Sequence, residues 1–149
     1  WWPRPYSAAR LAIASSGAGV LLRHDGFARA TPVAWHARRI VPHPGGIMVV
    51  DSFGGQGSVD VSFCWNFGES LAAFDSATLT ARGPAGEVQL TIDGVGGAPE
   101  VTWLSGSASG SWRSLNYGEA CPALGVGLGW HINLPAEIST IFKYTRCAE

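Results

Sequence analysis

Charge is scarce in this chain. Asp, Glu, Lys and Arg make up 14% of its 149 residues and nearly cancel, at a formal net charge of -1. Neutralising phosphates takes a basic surface, so nucleic acid is not the default partner. Cysteine is scarce too, and Cys64, Cys121 and Cys147 are an odd set that allows at most one intrachain disulfide and lacks zinc-site spacing. Cys121 and Cys147 flank the last two strands read below and could pair, but small half-buried thiols are the expectation. No apolar run approaches the ~18 residues of a membrane span, so no membrane partner is expected. No signal peptide opens the chain, and its first residue is Trp1 rather than Met, which reads as a piece of a longer or processed polypeptide.

Catalytic signatures are missing as well. There is no Gly-x-Ser-x-Gly elbow and no Cys-His arrangement. The glycine-rich stretches fall in hairpin turns with no following helix, so none forms a phosphate loop. His24, His36, His43 and His131 lack the i, i+4 pairing of a metal helix, and His24-Asp25 could share a ligand only in a turn. A turn-capping Asp25 is the simpler reading. No pair among the eleven acids stands out for glycoside hydrolysis.

What the chain does have is alternation. From 57 to 67, Val59, Val61, Phe63, Trp65 and Phe67 alternate with Ser58, Asp60, Ser62, Cys64 and Asn66, the period-2 signature of a strand with one buried face. Such a face needs a second layer to cover it. Further strands are predicted at 8–14, 20–23, 33–41, 47–50 (ended by Asp51), 75–82, 87–93, 101–104, 124–132 and 137–144. Turns are predicted at His24-Asp25-Gly26-Phe27, where Asp-Gly favours a left-handed backbone, at 42–46 and at 83–86. In 124–132 one side carries Leu124, Val126, Leu128, Trp130 and Ile132; the other carries Gly125, Gly127, Gly129 and His131 and would admit a close backbone or ring. With 20 Gly, 9 Pro and 46% hydrophobic residues, this describes one all-β domain. The predicted fold is a two-sheet antiparallel β-sandwich of about ten strands over 8–149 behind a lead-in at 1–7, with an eight-stranded barrel as the alternative. The residues alone support a soluble β domain.

The charges are unevenly placed. Residues 1–50 hold Arg4, Arg10, Arg23, Arg29, Arg38 and Arg39 against Asp25, a net +5, and residues 51–149 carry -6. Either an Arg-lined surface meets an anionic ligand, or neighbouring strands pair the two halves; the second is the plainer reading. Ser111 to Glu119 is the densest polar and aromatic cluster. Trp112 and Tyr117 could stack on a sugar and Arg113 could hold a carboxylate or sulfate, while the bland reading fills a sandwich edge with the rings and pairs Arg113 with Glu119. His131 is the most exposed-looking histidine.

Two stretches together resemble the C-terminal β domain of the heparinase II/III-like polysaccharide lyases. One is His24-Asp25-Gly26-Phe27, then His36-Ala37-Arg38-Arg39-Ile40, then Ile47-Met48-Val49-Val50-Asp51. The other is Trp112-Arg113-Ser114 with Tyr117-Gly118-Glu119 and Pro122, followed by Thr140-Ile141-Phe142. The resemblance implies a parent that pairs an α/α toroid with β domains and cleaves acidic polysaccharide, glycosaminoglycan or alginate, by β-elimination in the periplasm or outside the cell. It implies that the catalytic residues and a divalent metal site lie upstream. The His-Asn-Thr-like segment of that site is not in this chain, so no catalytic, metal or cofactor residue carries over and the segment alone should be inactive. The implied partners are the rest of the parent chain and the polysaccharide. Arg39, Trp112, Arg113, Tyr117 and His131 are the substrate-contact candidates, and an independent carbohydrate-binding module is the competing reading.

Overall fold

A computed structural model describes residues 10–13, 19–67, 73–94, 97–105, 112–113 and 121–146. Among them every regular element is a strand: β1 (Arg10–Ile13), β2 (Val20–His24), β3 (Val33–His43), β4 (Gly46–Phe67), β5 (Ala73–Asp75), β6 (Thr80–Gly83), β7 (Gly86–Gly94), β8 (Glu100–Ser105), β9 (Trp112–Arg113), β10 (Cys121–Pro122) and β11 (Leu124–Arg146). The all-β antiparallel class expected from the alternation is what is observed. The strand order is open, which removes the closed barrel.

Two compact units divide the chain, and β4, β7 and β11 contribute a segment to each. The first comprises Trp1–Asp60, Thr91–Gly97 and His131–Phe142. Its strands follow the order β1-β2-β3-β4-β11-β7. β3 and β4 form a hairpin closed by Pro44 and Gly45, where Gly45 takes the positive φ of 76° that a two-residue reversal requires. Among the described residues, Val33, Val49, Val50, Phe53, Ile132, Ala136 and Ile138 are its buried apolar residues.

The second unit comprises Val61–Leu90, Ala98–Trp130 and Lys143–Glu149. Here the sandwich can be read from distances. In ladder order β5 lies four steps from β4, which in a flat sheet is about 19 Å. Yet the rings of Phe67 on β4 and Phe74 on β5 have centroids 6.4 Å apart, and Trp103 on β8 stacks on Phe74 at 5.0 Å. The strands therefore fold back face to face over these rings. Phe63 meets Trp130 edge-on at 5.5 Å beside buried Val126, Leu128 and Leu90. Along β4, Ser58, Asp60, Ser62, Cys64 and Asn66 are exposed while Val59, Val61, Phe63, Trp65 and Phe67 are buried or half-buried, residue for residue as the alternation requires.

Three local expectations need correction. The strands foreseen at 47–50 and 57–67 are one 22-residue strand; Gly54, Gly55 and Gly57 interrupt the apolar pattern but not the strand, and Gly54 and Gly55 face a register shift in β3 between Val33 and Trp35. The strand foreseen at 75–82 is broken, because Asp75 accepts from the Ala77 amide and the Thr78 hydroxyl, winding 76–79 into a turn. Those bonds hold the Asp75 carboxyl below the usual range. The turn after His24 runs from 25 to 31 through Ala28 N–H to Asp25 C=O and Thr31 N–H to Phe27 C=O, and Gly26 does not take a positive φ. The lead-in at 1–7, the Ser/Gly loop beyond Ser105 and Cys147 lie outside the described residues.

Candidate functional site

The residues that carried the first motif come together on one face of β2, β3 and β4. The registers His24↔His36↔Phe53 and Leu22↔Arg38↔Asp51 set these side chains in two adjacent rows. His24 Nε2 lies 3.2 Å from His36 Nδ1, and His36 Nε2 lies 2.6 Å from Asp51 Oδ1. Arg38 closes the set bidentately, Nε to Oδ1 at 2.8 Å and Nη2 to Oδ2 at 3.1 Å. Phe53 stacks on the His36 ring at 4.8 Å, and Phe27 lies against His24 at 5.1 Å.

The direction of this chain is fixed at one end. A backbone amide can only donate, and Gly26 N–H donates to His24 Nδ1 at 3.1 Å. His24 therefore carries its proton on Nε2 and donates to His36 Nδ1; His36 carries its proton on Nε2 and donates to Asp51. Burial pushes the His24 pKa down, the His36 ring adds to that, and Asp25 opposes it. Asp51 has no solvent exposure. All four ring nitrogens are committed, leaving none to take a substrate proton or ligate a metal. No group of three or more His, Cys, Asp or Glu among the described residues is placed to hold a metal ion. The relay is a structural clasp.

The opposite face of the same strands is basic. Arg23 and Arg39 are exposed, and the Arg23 guanidinium carbon lies 4.3 Å over the Trp35 ring. Trp35 itself lies across Gly54, where a Cβ would sit 2.1 Å from the indole. Beyond Trp35, an open groove of about 700 Å³ is lined by Ser52, Asp93, Pro135 and Glu137, with Ser52 Oγ donating to Glu137 Oε2 at 2.8 Å.

Of the substrate-contact candidates, Arg39 is on this basic face. His131 is exposed but engaged with Asp60 at 2.7 Å, a surface pair of little energetic weight. Trp112 and Arg113 form the short β9, paired with β10, and Tyr117 lies outside the described residues. The side chains of Trp112 and Arg113 likewise lie outside what the structure describes. Trp130 is buried against Phe63 and offers no platform. Cys64 and Cys121 are free thiols. Pairing of the charged halves is only partial: Arg38 meets Asp51, while no ion pair joins Arg23 or Arg39 to an acid among the described residues. Sequence reading did not single out Arg23 or Trp35, because their stacking depends on the register of β2 on β3.

No family model and no curated protein matches this chain. Solved structures do. The chain is similar to heparan sulfate lyase HepC from Pedobacter heparinus, at a TM-score of 0.60 and 12% identity, with 94% of this chain covering 22% of that one. A mutant of the same lyase gives a TM-score of 0.63 at 12% identity and the same coverage. A heparinase III with methylated lysines gives 0.66 at 14% identity, with 93% of this chain covering 21% of that one. The chain thus has the fold of a part of these lyases and spans about a fifth of their length.

Proposed function

We propose that this chain is the non-catalytic C-terminal β domain of a heparinase II/III-like polysaccharide lyase, whose parent cleaves acidic polysaccharide by β-elimination. Its work is mechanical: it braces the sheets and domains that hold the reacting groups. The observation that carries this reading is that nearly the whole chain superposes on a fifth of heparan sulfate lyases. The relay supports it from the other side, since the polar atoms of His24, His36 and Asp51 are spent on one another, on the Gly26 amide and on Arg38. β-Elimination needs a base at the C5 proton and a neutralised carboxylate, and the relay supplies neither.

The test is an elimination assay that follows the ultraviolet absorbance of the unsaturated uronate product, with heparan sulfate and alginate as substrates. The 149-residue chain is expected to release none, and a protein that joins it to a helical toroid on its N-terminal side is expected to release it. Product formation by the chain alone would sink the assignment.

A further inference from the structure

We propose that the exposed face of β2 and β3 around Arg23 and Arg39 is a binding surface for the sulfate and carboxylate groups of an anionic polysaccharide. The inference rests on the lyase reading and adds to it a place where this domain itself grips the polymer.

Three observations carry it. First, Arg23 is pre-organised: its guanidinium carbon sits 4.3 Å over the Trp35 ring, and Trp35 is itself packed against Gly54, where any side chain would collide with the indole. A guanidinium held over a ring face by a cation–π contact is fixed in place without using up its N–H donors, which suit a carboxylate or sulfate. Second, the registers concentrate like charge. Arg39 pairs with Leu21 and Arg23 with Ala37, so the two arginines are diagonal neighbours. Like charges across a ladder are unfavourable unless something neutralises them. Third, no ion pair joins Arg23 or Arg39 to an acid among the described residues. The row Arg23, Ala37, Ser52 leads to the acid Glu137 on β11, about 14 Å of sheet from Arg23, and Asp93 on β7 lies one strand further on. That exceeds the screening length of about 8 Å at physiological salt. Asp51 is on the other face, spent on His36 and Arg38.

Binding of the 149-residue chain to immobilised heparan sulfate, to an unsulfated uronate polymer and to duplex DNA tests this. Expected is salt-sensitive binding to heparan sulfate that weakens about tenfold with Arg23→Ala and again with Arg39→Ala. Arg23→Lys should restore only part, because an ammonium lacks the fork. Arg82→Ala, at a surface pair with Glu87 on other strands, should leave binding unchanged. Circular dichroism checks that the variants fold. Unchanged binding by the double variant overturns the proposal. So does duplex DNA held as tightly with the same arginine dependence, which marks a general polyanion surface. Elimination is assayed separately in the longer protein: activity there with arginine-independent binding here removes only this face, and the reverse pattern removes only the lyase reading.

Discussion

Asp51 is a carboxylate with no solvent exposure on a chain where charge is rare, and its three bonds to His36 and Arg38 are what make that burial tolerable. Asp51→Asn keeps the shape but replaces one acceptor oxygen with an amide donor, so donors of the substituted side chain and of its neighbours face each other. The expected cost is about 3 kcal/mol, the low end for breaking a buried pair because Arg38 is partly exposed. Urea unfolding midpoints measure it; a loss within a few tenths of the wild type would show the clasp to be slack. Thr140 presents the opposite case. It is fully buried, and its hydroxyl has no hydrogen-bond partner among the described residues. Thr140→Val removes that orphan at nearly constant volume and is expected to raise stability by about 1 kcal/mol. A drop of similar size would reveal a partner for the hydroxyl.

Among the elements, β4 was the most legible, since five bulky residues alternating with five polar ones admit only one buried face. What remained hidden was how far it runs. Gly54-Gly55-Gln56-Gly57 looks like a break between two strands, yet Gly54 lies in the ladder opposite Trp35 because the indole needs the space a side chain would fill. The 75–82 stretch misled in the other direction, its alternation overruled by the local carboxylate bonds of Asp75. The relay was half visible: its residues stood out as a motif, but only the register shows that they bond to each other. The glycines of β11 also changed meaning. A Cβ at Gly127 would meet Thr102 at 3.6 Å, an ordinary contact, so no close backbone requires that glycine. Hence two alanine substitutions in strands should part company. Gly54→Ala forces Trp35 off its seat and should cost about 1–3 kcal/mol, with a shift in tryptophan emission. Gly127→Ala should be neutral or gain about 0.5 kcal/mol by restricting the unfolded chain. Equal costs at the two sites would mean that the seating of Trp35 is not what Gly54 provides.

For the molecule as a whole, the acidic side of the pH scale should be set in part by the clasp. His24 ties the end of β2 to β3, and through His36 to β4, and it does so as a neutral ring whose Nδ1 must accept from Gly26 N–H. A proton placed on that nitrogen turns an acceptor into a donor facing a donor. Burial foremost, then the His36 ring, holds the His24 pKa below its ordinary value, against the pull of Asp25. The unfolded chain therefore binds this proton more readily than the folded one, and stability rises with pH where the two differ. The contribution is fully present above about pH 6.5, the unfolded value, and is lost as pH falls through the lower folded one. Other groups titrate below that range, so the diagnostic quantity is a difference between proteins. Between about pH 7.5 and about pH 5, wild type should lose more stability than His24→Gln, which keeps an acceptor for Gly26 N–H but cannot be protonated. Chemical denaturation at the two pH values measures both. If His24→Gln proves as acid-sensitive as the wild type, the neutral His24 ring is not what ties this fold to neutral conditions.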